Sequence, residues 1–173
     1  MKTLDAYVTH IEDYPHEGII FHDITTVMQD ADGLALAIEE MKRLVDEKEI
    51  DAVCGIESRG FLFGVPLALS WHKPFIMARK KGKLPRETVE KSFSLEYGKA
   101  TIELHKDSIK PGDRVLIVDD LIATGGTAQA VAALVEELGG VVAGFVFLVE
   151  LTALEGRKAL KDYSVASVLS FDR

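Results

Sequence analysis

Four consecutive aliphatic residues, Val115 to Val118, place the strongest constraint on the fold of this chain. A continuous run of this kind is typical of a strand that is buried on both faces of a parallel sheet. We expect the strand to end at Asp119 and Asp120, where a loop of Thr and Gly residues opens a helix at Thr127. Ligands bind at the carboxyl ends of strands in open α/β sheets, so the segment predicts a site as well as a fold.

Buried strands and helices alternate along most of the sequence. A helix capped by Asp32 and ending near Lys48 comes first, with Leu34, Ile38 and Met41 on one face. The alternating elements that follow are predicted at 51–56, 60–70, 74–79, 115–118, 127–138, 141–149, 154–161 and 165–171. This order predicts an α/β fold with a mainly parallel central sheet flanked by helices.

The middle of the chain contains a basic segment that interrupts this alternation. Residues 80–87 are punctuated by Gly82 and Pro85 and have no apolar period, so we expect an exposed, mobile loop that resembles a lid. Alternating apolar residues on either side of Gly98 predict a hairpin appended to the sheet. With 173 residues and no Pro/Gly/Ser-rich linker, the chain is expected to form one domain, residues 1–173.

Charge and composition exclude several classes of function. The net charge of −8 disfavours a broad electrostatic surface for nucleic acid or anionic lipid, so any anion site must be local. The longest apolar run, residues 138–149, is too short to span a membrane. The single Cys54 cannot form an internal disulfide and no secretory signal is recognisable, so we expect a cytoplasmic location.

The loop after Asp120 has the composition of a phosphate site. Gly125 and Gly126 allow backbone amides to approach an anion, Thr124 and Thr127 offer hydroxyls, and the next helix contributes unpaired N–H groups. Neither a P-loop nor a dinucleotide fingerprint is present. The adjacent aspartates suit a ligand with hydrogen-bond donors, such as a ribose diol. The alternative is that the aspartates cap the helix and the glycines form a tight turn.

The string DDLIATGGT, residues 119–127, resembles the phosphoribosyl-pyrophosphate motif of the type I phosphoribosyltransferases. Residues 21–25, 57–61, 79–85 and 95–98 resemble segments of the adenine-using members of that family, in the same order. The resemblance covers nearly the whole chain. It implies the family's α/β fold, with a small N-terminal hood at about 1–31 and a flexible lid hairpin at about 80–98.

The resemblance implies that three segments bind 5-phospho-α-D-ribose 1-diphosphate. In the family the two aspartates bind the ribose hydroxyls, the Thr/Gly loop cradles the 5′-phosphate, and the peptide corresponding to Glu57-Ser58 is cis. Without the resemblance, the lid cations, above all Lys81 and Arg86, would be read as a solvated basic loop and Arg59 as a surface ion-pair partner. The implied binding residues are Glu57, Ser58, Arg59, Arg79, Lys80, Lys83, Asp119, Asp120, Ala123, Thr124, Gly125, Gly126 and Thr127.

The resemblance also implies residues that handle the purine. Glu96 matches the family's catalytic glutamate, although the sequence alone would make it a polar hairpin residue. Ile20, Phe21 and Leu121 match positions that sandwich or hydrogen-bond adenine, whereas by themselves they resemble core residues. His22 is assigned to the adenine site as well, but it replaces the usual arginine and can instead pack or pair. His16-Glu17 and Lys81 also depart from the family's usual residues.

The implied activity is transfer of the phosphoribosyl group to adenine, giving AMP and diphosphate. Mg²⁺ would be held mainly by the substrate, and no metal site made by the protein is predicted. The resemblance implies a homodimer, in which a basic lid residue reaches the neighbouring subunit. Two alternatives stay open: a phosphoribosyltransferase for hypoxanthine or guanine, and a non-catalytic regulator that senses phosphoribosyl pyrophosphate.

Overall fold

The computed structural model describes residues 2–95 and 97–173. A 3-10 helix, Leu4–Tyr7, opens the chain, and further 3-10 turns lie at Glu47–Glu49, Thr152–Leu154 and Gly156–Leu160. The strands and helices are β1 (Thr9–Glu12), β2 (Ile20–Asp23), α1 (Thr25–Met28), α2 (Ala31–Arg43), β3 (Ala52–Ile56), α3 (Arg59–Trp71), β4 (Phe75–Lys80), β5 (Thr88–Ser94), β6 (Lys99–His105), β7 (Arg114–Ile122), α4 (Gly126–Glu137), β8 (Val141–Leu151) and β9 (Val165–Phe171).

A seven-stranded sheet in the order β5-β6-β4-β3-β7-β8-β9 forms the centre of the molecule. The strands from β4 to β9 in this order pair in parallel. The β5–β6 hairpin is antiparallel and joins the edge through β4 and β6. The prediction of an α/β fold with a mainly parallel sheet is therefore confirmed, as is the appended hairpin. A separate antiparallel pair, β1–β2, lies outside the main sheet.

Alternating residues of the central strands pack on opposite faces of the sheet. In β7, Val115 and Ile117 belong to a core that includes Val131 and Leu134 of α4. Leu116 and Val118 belong to a second core, which includes the buried side chains of α2, α3 and the N-terminal segment. This two-sided burial explains why all four residues from 115 to 118 are aliphatic.

Four local expectations are wrong. Asp30 caps α2 through bonds to the backbone N–H groups of Asp32 and Gly33, and the helix ends at Arg43 rather than near Lys48. β7 continues through the two aspartates to Ile122, because its pairing with β8 persists to that residue. The segment at 154–161 forms 3-10 turns instead of an α-helix. Among the described residues, every helix is too short or too polar to reach across a lipid bilayer.

Candidate active site

The carboxyl edge of the parallel strands contains a cleft of about 420 Å³. β3 leads into Glu57, β4 ends at Lys80, and β7 carries Asp119 and Asp120 into the same space. The β5–β6 hairpin supplies the opposite wall. The residues that line the cleft are Ile56, Glu57, Ser58, Arg59, Lys80, Phe93, Leu95, Ala100, Thr101, Ile102, Asp119, Asp120 and Thr127.

The carboxylate of Glu57 binds two cations beside this cleft. It accepts hydrogen bonds from Arg79 Nη2 at 3.2 Å, from Lys83 Nζ at 2.8 Å and from the backbone N–H of Lys80 at 2.7 Å. Burial alone raises the pKa of Glu57, but the hydrogen bonds from Lys83, Lys80 and Arg79 outweigh it and lower the pKa to about 2. Glu57 thus holds the side chains of Arg79 and Lys83 beside the site. The Glu57-Ser58 peptide is cis, as the resemblance implied.

Asp120 is buried, Asp119 is half-buried, and the two lie in contact. The backbone N–H of Asp120 donates to Asp119 Oδ1 at 2.8 Å, and Arg59 Nε donates to Asp120 Oδ2 at 2.5 Å. Burial and then the charge of Asp120 raise the pKa of Asp119 well above its ordinary value. Asp119 therefore keeps its proton to higher pH than an ordinary aspartate does, while Arg59 orients the carboxyl group of Asp120.

Gly60 allows the start of α3 to touch this pair. A Cβ at Gly60 would lie 2.7 Å from the carbonyl oxygen of Val118 and 3.1 Å from Asp119 Oδ1. Only glycine permits so close an approach of the helix to β7. Arg59, the first residue of α3, can therefore reach Asp120.

The predicted phosphate loop borders a smaller cavity of about 120 Å³ next to the cleft. Residues 123–127 line it together with Asp119 and Leu121. Gly125 has a φ of +84° and stands directly before α4, so the loop presents the unpaired amides of a helix start. A Cβ at Gly125 would lie 2.6 Å from the carbonyl oxygen of Gly156, which shows that the turn after β8 supports the loop.

A third, apolar cavity of about 370 Å³ lies on the other side of Leu121. Here the structure brings together all four residues that the sequence assigned to a base: Ile20, Phe21, His22 and Leu121. Other lining residues went unpredicted because the topology gathers them from separate elements without a shared motif. They are Ile19, Leu151, Ala153, Leu154, Asp172 and Arg173. In the cleft, Phe93, Leu95 and Thr101 were missed for the same reason.

Two predictions about the chemistry, the lack of a metal site made by the protein and the catalytic role of Glu96, stay predictions. Within residues 2–95 and 97–173, no group of three or more His, Cys, Asp or Glu side chains could hold a metal ion. The predicted catalytic residue, Glu96, lies outside the described residues.

Comparison with known proteins agrees with this geometry. The family model for the phosphoribosyl transferase domain matches residues 21–172. The adenine phosphoribosyltransferase of Agathobacter rectalis is 59% identical over 172 residues, which cover 99% of both chains.

Two solved structures share the whole fold. The crystal structure of adenine phosphoribosyltransferase from Thermoanaerobacter pseudethanolicus has a TM-score of 0.92 and 46% identity, covering 98% of this chain and 100% of that one. The enzyme of Saccharomyces cerevisiae, crystallised with an imino-altritol bisphosphate and adenine, has a TM-score of 0.90 and 38% identity, covering 96% of each chain. With its three adjoining cavities and these relatives, the chain belongs to the adenine phosphoribosyltransferase family of the phosphoribosyl transferases.

Proposed function

We propose that the enzyme transfers the 5-phosphoribosyl group of 5-phospho-α-D-ribose 1-diphosphate to adenine and releases AMP and diphosphate. The observation that carries this proposal is the continuity of the three cavities. Asp119 lines both the cleft and the loop cavity, and Leu121 lines both the loop cavity and the apolar pocket. The ribose with its diphosphate, the 5′-phosphate and the flat apolar base thus have adjoining cavities: the cleft, the loop cavity and the apolar pocket. The names of the relatives support adenine as the base.

Asp119 and Asp120 hold the ribose in this proposal. Their oxygens are acceptors for the 2′- and 3′-hydroxyls, and bonds to an ionised carboxylate are stronger than bonds between neutral groups. Arg59 orients Asp120 through Nε and itself lines the cleft. The fixed sugar keeps its anomeric carbon next to the apolar pocket.

The 5′-phosphate binds the loop made by Ala123, Thr124, Gly125, Gly126 and Thr127. The loop combines backbone amides at the start of α4 with two hydroxyl groups, which is the usual composition of an anion site at a helix N-terminus. The cavity of about 120 Å³ there accommodates a group of phosphate size rather than a base.

The leaving diphosphate is stabilised by Ser58, Arg59, Arg79, Lys80 and Lys83. Negative charge grows on this group as the bond to the anomeric carbon breaks, and preorganised cations favour that change. Glu57 keeps Arg79 and Lys83 beside the cleft until substrate arrives. The Lys83 side chain is half exposed, so it can leave Glu57 when the lid, about residues 80–98, closes over the donor.

The residues present fit a magnesium ion that the substrate carries into the site. Glu57 is already occupied by cations, and the remaining carboxylates, Asp119 and Asp120, supply hard oxygen atoms but no cage. Mg²⁺ prefers such oxygens together with phosphates and water. When bound, it supplies positive charge to the diphosphate.

The base occupies the apolar pocket below the hood, about residues 1–31. Ile20, Phe21, His22 and Leu121 border it, and the backbone of Ile20 reads the edge of the purine. Glu96 assists proton movement as the ring nitrogen becomes a nucleophile. Positioning two reactants can lower a barrier by about 7–11 kcal/mol, whereas one proton transfer contributes about 10²–10⁴-fold. Fixation of the sugar and the base is therefore the larger part of catalysis.

A second copy of the chain completes the enzyme in this proposal. Leu62, Val65 and Leu69 lie on one exposed face of α3, and Met77 of β4 is exposed as well. An apolar face of this kind is typical of an interface. Residues 1–173 act as one domain, and the free, buried Cys54 is consistent with a cytoplasmic location.

A purine-selectivity assay tests the function. The enzyme is incubated with 5-phospho-α-D-ribose 1-diphosphate, Mg²⁺ and adenine, hypoxanthine or guanine, and the nucleotides are separated. We expect AMP from adenine with a kcat/KM at least about 100-fold above that for either 6-oxopurine. IMP or GMP without AMP would favour a 6-oxopurine enzyme. Binding of the donor without any product would favour a sensing regulator.

A further inference from the structure

The imidazole ring of His22 is engaged at both nitrogens. Its Nδ1 lies 2.8 Å from Nδ1 of His10, and its Nε2 is hydrogen-bonded to the backbone carbonyl oxygen of Arg173. The ring also stacks on Phe171, with centroids 4.0 Å apart and planes inclined by 12°. His22 thus connects β2 to β1 and to the residues that follow β9.

These partners determine the tautomers of the two rings. A carbonyl oxygen only accepts, so Nε2 of His22 must carry a hydrogen. In the neutral ring Nδ1 is then an acceptor, and Nδ1 of His10 must be the donor. The other nitrogen of His10 lies 3.5 Å from Asp5 Oδ1.

The connection continues around the apolar pocket. Arg173 and its neighbour Asp172 both line the pocket. The carbonyl oxygen of Asp172 accepts from the backbone N–H of Ala153 at 3.1 Å, and its Oδ1 accepts from Thr152 Oγ1 at 3.1 Å. Ala153 lines the pocket as well. Hydrogen bonds therefore link three separate parts of the wall: β2, the turn after β8 and the end of β9.

We propose that His22 is a positioning residue that closes the wall of the base pocket, and that it does not read the base itself. This inference depends on the proposed function, which assigns the pocket to adenine. A histidine ring has two nitrogen atoms, and both are used within the protein, so its side chain has no polar atom left for a purine. Its effect on the base passes through Arg173 and the position of the hairpin.

A mutant cycle between His10 and His22 tests the proposal. His22→Phe keeps the aromatic stack and removes both bonds, and His10→Phe removes only the bond between the rings. We expect each variant to raise the KM for adenine about 3- to 10-fold, with kcat and the KM for the phosphoribosyl donor changed less than about 2-fold. Because both residues act through one connection, the double variant should raise the KM for adenine no more than the more severe of the two single variants does.

Two further variants sharpen this test. His22→Gln should recover part of the affinity, because its amide nitrogen can still donate to Arg173. His72→Asn serves as a control, since His72 is an exposed residue with a φ of +53° at the end of α3, a conformation that Asn tolerates. An equally high KM in His22→Phe and His22→Gln, with no change in His10→Phe, would contradict the proposal, because neither bond of His22 would then carry its effect on the base. An unchanged KM in His22→Phe would also contradict the proposal.

Long-range ¹H–¹⁵N spectra of the wild-type protein labelled at histidine test the connection without a variant or a substrate. We expect His22 as the Nε2–H tautomer and His10 protonated at Nδ1. A His22 ring protonated only at Nδ1 would overturn the inference. Absence of AMP formation by the wild-type enzyme would instead refute the proposed function, so the two failures are distinguishable.

Discussion

Glu57 is the residue at which two of the positive charges beside the cleft converge. Its side chain is only 7% exposed and contacts Arg79 and Lys83. The sequence pointed to these residues as separate donors to a diphosphate, since nothing in their spacing shows that one carboxylate holds both cations. Glu57 therefore contributes to stability as well as to the site.

The pH dependence of unfolding measures that contribution. The folded pKa of about 2 lies below the ordinary 4.5, so the stabilisation is fully present above about pH 4.5 and is lost as the pH falls toward 2. The difference between these two pKa values corresponds to at most about 3 kcal/mol of stabilisation. We expect Glu57→Gln to lower the free energy of unfolding at pH 7 and to differ less from wild type at pH 3. The exposed Glu137→Gln is the control, and a difference independent of pH would contradict this role.

The pair of Asp119 and Asp120 gives a second test at the scale of single residues. Asp119→Asn combined with Asp120→Asn should raise the KM for the phosphoribosyl donor and lower kcat/KM by about 100-fold or more, because charge-assisted bonds to the sugar are lost. Steady-state kinetics at fixed adenine checks this. Asp162→Asn, on the exposed surface, should change neither value. Near-normal kinetics of the double variant would contradict the ribose assignment.

Glu96 is tested through its effect on rate. Glu96→Ala should lower kcat by about 10²–10⁴-fold, the usual contribution of a proton-transfer group, while donor binding stays within about 2-fold. Calorimetric titration with the donor, in parallel with the rate measurement, separates the two effects. An unchanged kcat would exclude Glu96 as the catalytic glutamate.

At the scale of elements, the phosphate loop depends on the turn that follows β8. The carbonyl oxygen of Gly156 occupies the space that a side chain at Gly125 would need. Arg157, the next residue, donates from Nε to the buried Glu150 at 2.8 Å and so fixes this turn. The loop and the base pocket share this support, since Ala153 and Leu154 come from the same connection.

Substitution of Gly125 distinguishes the close contact with Gly156 from the backbone strain of a positive φ. Gly125→Ala and Gly112→Ala both place a side chain at a φ near +85°, which costs about 1–2 kcal/mol, but a Cβ at Gly112 meets nothing within 4 Å. We expect Gly125→Ala to lower the melting temperature more than Gly112→Ala and to raise the KM for the donor at least about 10-fold. Equal effects of the two variants on both quantities would contradict the contact with Gly156.

The elements that sequence periodicity predicted well are those with a one-sided or fully buried pattern. The aliphatic run of β7 and the fully buried β3 follow from burial alone. The cap of α2 does not follow from burial. Asp30 and Asp32 are equally suitable as capping residues, and only the extended backbone at Asp30 decides between them. Likewise, Asp172 and Arg173 join the base pocket through pairing between distant segments, which no local pattern encodes.

For the whole molecule, the exposed face of α3 predicts self-association. Leu69→Glu places a charge on the most exposed of its leucines, 79% accessible, and should convert a dimer into a monomer in sedimentation experiments. Leu44→Glu, at an exposed leucine just after α2, is the matched control and should stay dimeric. If Leu69→Glu sediments like wild type, the interface lies elsewhere.

The charge of the molecule as a whole agrees with a local anion site. A net charge of −8 coexists with Arg59, Arg79, Lys80 and Lys83 at one edge of the sheet. A crystal structure with 5-phospho-α-D-ribose 1-diphosphate and Mg²⁺ would locate that site. We expect the 5′-phosphate against the amides of residues 123–127 and the ribose hydroxyls within hydrogen-bond distance of Asp119 and Asp120. A donor bound at any other place, with this edge of the sheet empty, would refute the proposed function.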